Sequence, residues 1–241
     1  AHHKIVDLAT IKDGLSAPEN FDALSAYVQH HRESPRQAHP QQFTRFRDDI
    51  NTLIRSWQSE LESSEGLVLK PVDDGCSSGV LVAPTPCTEI VTYLLFVHAN
   101  LESFPWHALG GQFRDVPEEY HMRLPPDPLQ QILVEEFLGS SQMNDNRIEM
   151  TVAVLGRNGA MQAMVPSETP NDFGVLTVED KFCKGGAVNL TPPQNLTQDA
   201  IKSIQQRVVT FANMLGIDGY ARIDLMYDTQ KDKLFLIEVN S

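Results

Sequence analysis

Two short runs near the end of the chain leave few choices for its backbone. Residues 220–227 (Tyr-Ala-Arg-Ile-Asp-Leu-Met-Tyr) and 234–240 (Leu-Phe-Leu-Ile-Glu-Val-Asn) interleave apolar and polar side chains, and the polar stretch 228–233 separates them. Such a pair folds as an antiparallel hairpin. Side chains alternate along a strand, so Arg222 and Asp224 share a face, as do Glu238 and Asn240. A pairing centred on Lys231 sets Asp224 opposite Glu238 and Arg222 opposite Asn240. Ile223, Leu225, Phe235, Ile237 and Val239 then form the other face. Two carboxylates held opposite one another repel. Two readings of this face stay open. In one, Arg222 and Asp224 make an ion pair on solvated surface. In the other, a divalent cation removes the repulsion: Asp, Glu and Asn oxygens suit Mg²⁺, which combines few protein ligands with phosphate oxygens. Pattern alone favours the first.

The rest of the chain mixes strands and helices in an order that is not strictly alternating, which predicts an α+β class. Residues 5–11 read as a strand. Phe21, Leu24, Tyr27 and Val28 have helical spacing behind Pro18, and residues 30–42, with Pro35 and Pro40, read as a loop. Phe43, Phe46, Ile50, Leu53, Ile54, Trp57 and Leu61 recur at steps of three and four, an amphipathic helix with Gly66 as its stop. Strands are expected at 67–70 and 80–83, joined by a glycine-rich turn, then a helix over 88–102, whose apolar core at 93–97 reads as helix or strand. The Pro-, Gly- and His-rich stretch 104–128 reads as an insertion or long loop. Further strands are expected at 132–138, 148–155 and 160–165, with a polar connection at 140–146. A long loop over 166–193 has room for a strand at 175–178. Thr197 can cap a helix carrying Ile201, Ile204, Val208, Phe211 and Leu215, which Gly216 ends.

Composition narrows the function classes. Nineteen Lys and Arg against 32 Asp and Glu give a net charge of −13 over 241 residues. Such a chain repels phosphate backbones and anionic bilayers, so neither nucleic acid nor membrane is an expected partner. No apolar run approaches the ~18 residues of a membrane helix, and no leader opens the chain. Cys76, Cys87 and Cys183 show no CxxC spacing, which fits the cytoplasm or another reducing compartment. The sequons at Asn189 and Asn195 then read as chance, and the eight scattered histidines receive no role.

Lys70 ends an apolar strand just before Gly75-Cys76-Ser77-Ser78-Gly79. Backbone amides of such a turn can cradle phosphates beside a lysine, although most glycine-rich hairpin tips are only turns. Val68-Leu69-Lys70-Pro71 with this turn, then Leu133 to Leu138, Glu149 to Gly156, Lys181-Phe182, Gly219 to Asp224 and Leu236 to Asn240 together resemble the D-alanine–D-alanine ligases of the ATP-grasp superfamily, in the family's order.

The resemblance implies an ATP-grasp fold, two α+β subdomains clasping ATP, without the family's N-terminal domain. It divides the chain into an N-terminal strand and helix region (1–65), a central lid subdomain (66–138, insertion 104–128) and a C-terminal subdomain (139–241) shortened at its end. It implies an ATP- and Mg-dependent carboxylate–amine ligase acting through an acylphosphate. The alternative is a non-catalytic or fragmentary domain that binds nucleotide, or only keeps the fold, as part of a larger protein. Expected partners are ATP and small amino-acid or hydroxy-acid substrates, with the chain a homodimer or part of a longer one.

Residue by residue, the resemblance assigns Lys70 and Lys181 to ATP phosphates, and Gly75, Cys76, Ser77 and Ser78 to the lid over them. It assigns Glu135 to the adenine amino group, the backbones of Glu136 and Leu138 to the hinge, and Phe137 to the flank of the base. Glu149 falls at the ribose, Met226 and Ile237 on adenine, and Asp224, Glu238 and Asn240 at magnesium. Arg222 is the cation at the tetrahedral intermediate. The departures are Cys76 for the lid serine and Phe182 for a tyrosine, the latter also found in relatives that use D-lactate. An early lysine of the fold has Lys4 as its one candidate.

Overall fold

The computed structural model describes residues 2–31, 35–72, 78–125, 131–138, 146–157, 159–168 and 189–240. The chain divides into two units, residues 2–137 and the residues from Leu138 onward.

The first unit opens with β1 (His3–Asp7), which passes directly into α1 (Leu8–Asp13). The single strand expected over 5–11 is thus half helix. Leu8 and Ile11 are both buried and three apart, a helical repeat, not an alternating one. The next helix, α2 (Pro18–His30), buries Phe21, Leu24 and Val28. After α3 (Pro35–Ala38) comes α4 (Pro40–Glu60), which begins inside the expected loop. Pro40 occupies the first turn, where a missing N–H leaves no helical bond unmade. Phe46, Ile50, Ile54 and Trp57 form its buried stripe. The helix stops at Leu61, before the glycine expected to end it, and Glu62 adopts the left-handed conformation (φ 53°) there. Gly66 instead opens β2 (Gly66–Pro71), where an added Cβ would lie 2.4 Å from the Ala83 carbonyl oxygen.

The remaining elements of this unit are β3 (Leu81–Pro84), α5 (Glu89–His98), β4 (Ser103–Pro105), β5 (His121–Arg123) and β6 (Gln131–Glu136). An antiparallel sheet runs in the order β1-β6-β2-β3. Leu67, Leu69, Leu81, Ala83, Ile132 and Val134 are buried in one core with the helices. On the opposite face Val68, Lys70, Val82, Leu133 and Glu135 are half-buried, and Ile5 is 55% exposed. The stretch 1–65 shares that core with the strands that follow it. The expected loop at 104–128 holds structure: β4 and β5 pair, short 3-10 turns lie between them, and Phe104, Leu109, Met122 and Leu124 enter the core. Its Pro and Gly density hides these short elements from periodicity. The Arg123 carbonyl accepts from the Gly79 amide at 2.7 Å, and the buried Tyr93 hydroxyl donates to the Gly79 carbonyl at 2.7 Å.

The second unit contains β7 (Arg147–Gly156), β8 (Gln162–Ala163), β9 (Ser167–Glu168), α6 (Gln198–Met214), β10 (Gly219–Asp228) and β11 (Lys233–Asn240). The sheet order is β11-β10-β7-β8, with β9 also on β7. The strand expected over 160–165 is reduced to two residues. Those expected at 175–178 and the connection 140–145 lie outside the described residues. Thr197 caps α6, its hydroxyl accepting from the Ala200 amide at 3.2 Å. Ile204, Val208 and Ala212 pack on Met150, Val152, Val154, Ala221, Ile223 and Leu225. Antiparallel sheets, each with helices packed against it, make the chain α+β as expected. No described helix is long and apolar enough to cross a membrane.

Candidate functional site

In the second unit the helix-packed face is apolar, and the chemistry lies on the other. β10 pairs with β7 throughout, Arg222 opposite Ala153, Asp224 opposite Thr151 and Met226 opposite Glu149. Directly opposed residues project to the same side, so Glu149, Thr151, Arg222, Asp224 and Met226 share the face turned away from the helix. On the other flank β11 sets Asn240 opposite Arg222 and Glu238 opposite Asp224, as the hairpin pattern requires.

That agreement depends on a bulge. Between the turn and Leu225 the register pairs Leu225 with Leu236, Met226 with Phe235 and Tyr227 with Leu234. Continued unchanged, it would set Ile237 opposite Asp224. One extra residue shifts the pairing between Asp224 and Leu225, and Glu238 takes that place. Bulges re-aim side chains in this way. The same shift corrects the expected apolar face: Leu236, not Ile237, packs with Leu225, and Phe235 faces Met226 on the polar side.

Asp224 is the hub of the face. Its Oδ1 accepts from Thr151 Oγ1 at 2.7 Å and from Arg222 Nε at 3.1 Å. Its Oδ2 accepts from an Arg222 terminal nitrogen at 3.2 Å and from Asn240 Nδ2 at 3.1 Å. A carboxylate offers about four lone-pair sites, and all are engaged. The hydrogen bonds to Asp224, with the charges of Asp224 and Glu238, hold the Arg222 guanidinium above its ordinary pKa against partial burial. Asn240 gives Asp224 its NH₂ group, which leaves the amide oxygen for another partner. Glu238 is exposed. Two carboxylates and an amide oxygen form a hard-oxygen set with few protein ligands, which fits Mg²⁺ better than a cation needing a full protein cage. Among the described residues no group of three or more His, Cys, Asp and Glu side chains could hold a metal.

Sequence pattern alone does not mark Thr151 as a partner of Asp224. Its signal was the two-residue spacing from Glu149, but its link to Asp224 spans 73 positions and needs the β7–β10 pairing. Glu149 is half-buried, Met226 buried, and Ile237 half-buried at the bulge.

In the first unit the sheet face turned away from the helices carries the other candidates. Lys70 Nζ lies 2.6 Å from Glu135 Oε2, both side chains about one-fifth exposed. The two residues assigned to phosphate and to adenine therefore neutralise each other. The Glu136 amide donates to the His2 carbonyl at 3.0 Å and the Phe137 amide to the Gly66 carbonyl at 3.1 Å, and the Phe137 side chain is buried. In the second unit the Leu138 carbonyl accepts from Arg147. Ser78 Oγ donates to the Arg123 carbonyl at 3.3 Å. Lys4 pairs with Glu60 and stands opposite the buried Val134, on the helix side of the sheet, away from Lys70. Gly75, Cys76, Ser77, Lys181 and Phe182 lie outside the described residues.

Residues 128–241 match the family model "D-ala D-ala ligase C-terminus". The D-alanine–D-alanine ligase of Carboxydothermus hydrogenoformans is 30% identical over 112 residues, 46% of this chain and 33% of its own. That of Caulobacter sp. (strain K31) is 26% identical over 113 residues, 46% of this chain and 32% of its own. The chain thus spans about a third of the length of these curated relatives. The solved D-alanyl-alanine synthetase A from Vibrio cholerae aligns over 79% of this chain and 46% of its own, with 17% identity and a TM-score of 0.48, too low to carry a conclusion. Over residues 128–241, then, the chain is similar to the C-terminal part of the D-alanine–D-alanine ligases.

Proposed function

We propose that this chain is part of an ATP- and Mg²⁺-dependent carboxylate–amine ligase of the D-alanine–D-alanine type. The observation that carries this reading is the bulged hairpin that sets Glu238 against Asp224 inside the segment matching the ligase family. In it, Asp224, Glu238 and Asn240 hold Mg²⁺, which neutralises ATP phosphate charge. Lys70 and Lys181 hold phosphates, and Gly75, Cys76, Ser77 and Ser78 lie over them. Glu135, the Glu136 and Leu138 backbones, Phe137, Met226 and Ile237 receive adenine, and Glu149 the ribose. A carboxylate takes the γ-phosphoryl group, an amine attacks the acylphosphate, and the cation Arg222 stabilises the charge that develops on the oxygen. Cys76 and Phe182 cannot supply the serine and tyrosine hydroxyls of the family pattern, so the acceptor subsite should tolerate a D-hydroxy acid beside D-alanine. A reducing compartment such as the cytoplasm fits the cysteine usage.

A second reading has one observation in its favour. Arg222 and Asp224 already satisfy each other, as on a surface that only keeps the fold. Calorimetry separates the two: ATP affinity that rises with Mg²⁺ supports the first, and equal affinity with and without Mg²⁺ removes it. Ligation by a longer protein that includes this chain, assayed with D-alanine and with a D-alanine/D-lactate mixture, tests the chemistry and the acceptor.

A further inference from the structure

Among the described residues, Asp224 is the one proposed metal ligand whose oxygens are fully engaged by protein donors, and those donors differ in kind. Thr151 reaches it on a short side chain from β7, at 2.7 Å. Arg222 reaches it from the same strand two residues away, on a long stem, with 47% of its side chain exposed. An ion pair of that exposure is weak and breaks readily. A cation at Asp224 needs a lone pair that Arg222 now occupies, and two positive groups on one carboxylate repel. A neutral hydroxyl raises no such conflict.

We infer that Arg222 is an exchangeable partner of Asp224: it neutralises the carboxylate in the resting chain and leaves when a divalent cation takes the carboxylate, so that the guanidinium becomes available to substrate only on a metal-loaded face. Thr151 is the retained partner, a positioning residue that keeps Asp224 in place after Arg222 has gone. This inference rests on the Mg²⁺ reading above. It ties two roles that would otherwise be independent, because the charge needed at the reacting carbonyl is released by the ion needed at the phosphates.

The test is ¹⁵N-labelled full chain titrated with Mg²⁺, alone and with ADP, while calorimetry follows uptake in parallel. The Arg222 Nε–H resonance is assigned by its loss in Arg222→Lys. It should hold its ion-paired shift without metal, then move with the same midpoint as uptake. Uptake with an unmoved resonance overturns the exchange but leaves the Mg²⁺ reading standing, whereas absence of uptake removes both. Manganese affinity, read by electron paramagnetic resonance, is the second measure. Arg222→Met should bind at least about threefold tighter than the parent chain. Lys231→Met, which deletes a cation at the far end of the same hairpin, should stay within about twofold because distant charges are screened. Equal gains in the two variants would reduce the effect to net charge and overturn the inference.

Discussion

Each unit carries an opposite-charge pair on the sheet face turned away from its helices, and the two pairs are built differently. Lys70 and Glu135 come from adjacent strands and meet in a single contact, each about one-fifth exposed. Arg222 and Asp224 sit on one strand, and Thr151 and Asn240 join them from the strands on either side. The first pair depends on two residues; the second is anchored by three strands and set by a bulge. A lone pair on a sheet face separates when a ligand offers better partners. A carboxylate fixed from both flanks keeps its position whatever its arginine does. The first face is therefore suited to letting go of its charges and the second to holding one carboxylate still.

The largest expected effect tests whether the first face depends on its own scaffold. Gly66→Ala puts a Cβ 2.4 Å from the Ala83 carbonyl at a φ of 142°. It should cost about 2–4 kcal/mol. Both tryptophans lie in the first unit, so their fluorescence during urea unfolding reports that unit, and an unchanged midpoint would mean that β2 and β3 move apart freely.

Lys70→Met should weaken ATP by about 2–3 kcal/mol, the loss of a charge-assisted contact to phosphate. AMP should lose far less. Calorimetry giving equal losses for ATP and AMP would mean that Lys70 serves Glu135 or folding instead.

On the second face, Thr151→Val keeps the shape and removes one hydrogen bond to Asp224. Mn²⁺ affinity should fall by about 1 kcal/mol. A variant that binds as tightly as the parent would mean that the bond from Thr151 does not hold Asp224 in place for the metal.

The smallest effect supplies a control away from both faces. Lys12 and then His98 hold the Asp22 carboxyl below its ordinary pKa. A depressed carboxylate adds stability above the unfolded-state value of about 4, and this is lost as pH falls through the lower native value. Asp22→Asn should thus lower stability slightly at neutral pH, by well under 1 kcal/mol given its exposure. The difference from the parent should vanish in acid. Urea titrations at neutral and strongly acidic pH check it, and a gap that persists in acid would assign the effect to packing.

Local pattern and tertiary structure contributed different parts of this molecule. Alternation in two short runs was enough for the hairpin, the shared face of Arg222 and Asp224, and the opposition of Asp224 to Glu238, because strand geometry repeats every two residues. Helical spacing located α2, α4 and α6, and Thr197 marked the start of α6 through its side-chain bond. Periodicity did not locate the bulge, since one extra residue inside an alternating run is visible only once the partner strand is in place. Nor could it reveal Thr151 beside Asp224, Lys70 against Glu135, or the burial of Phe104 and Met122 within a Pro- and Gly-rich stretch. Those contacts join distant positions, and they form only when β7 lies on β10, β6 lies on β2, and β4 and β5 close over the first core. Residue order alone determined which side chains share a face; the tertiary pairing of strands decided which charges meet there, because hydrogen-bonded neighbours in a sheet need not be neighbours in the chain.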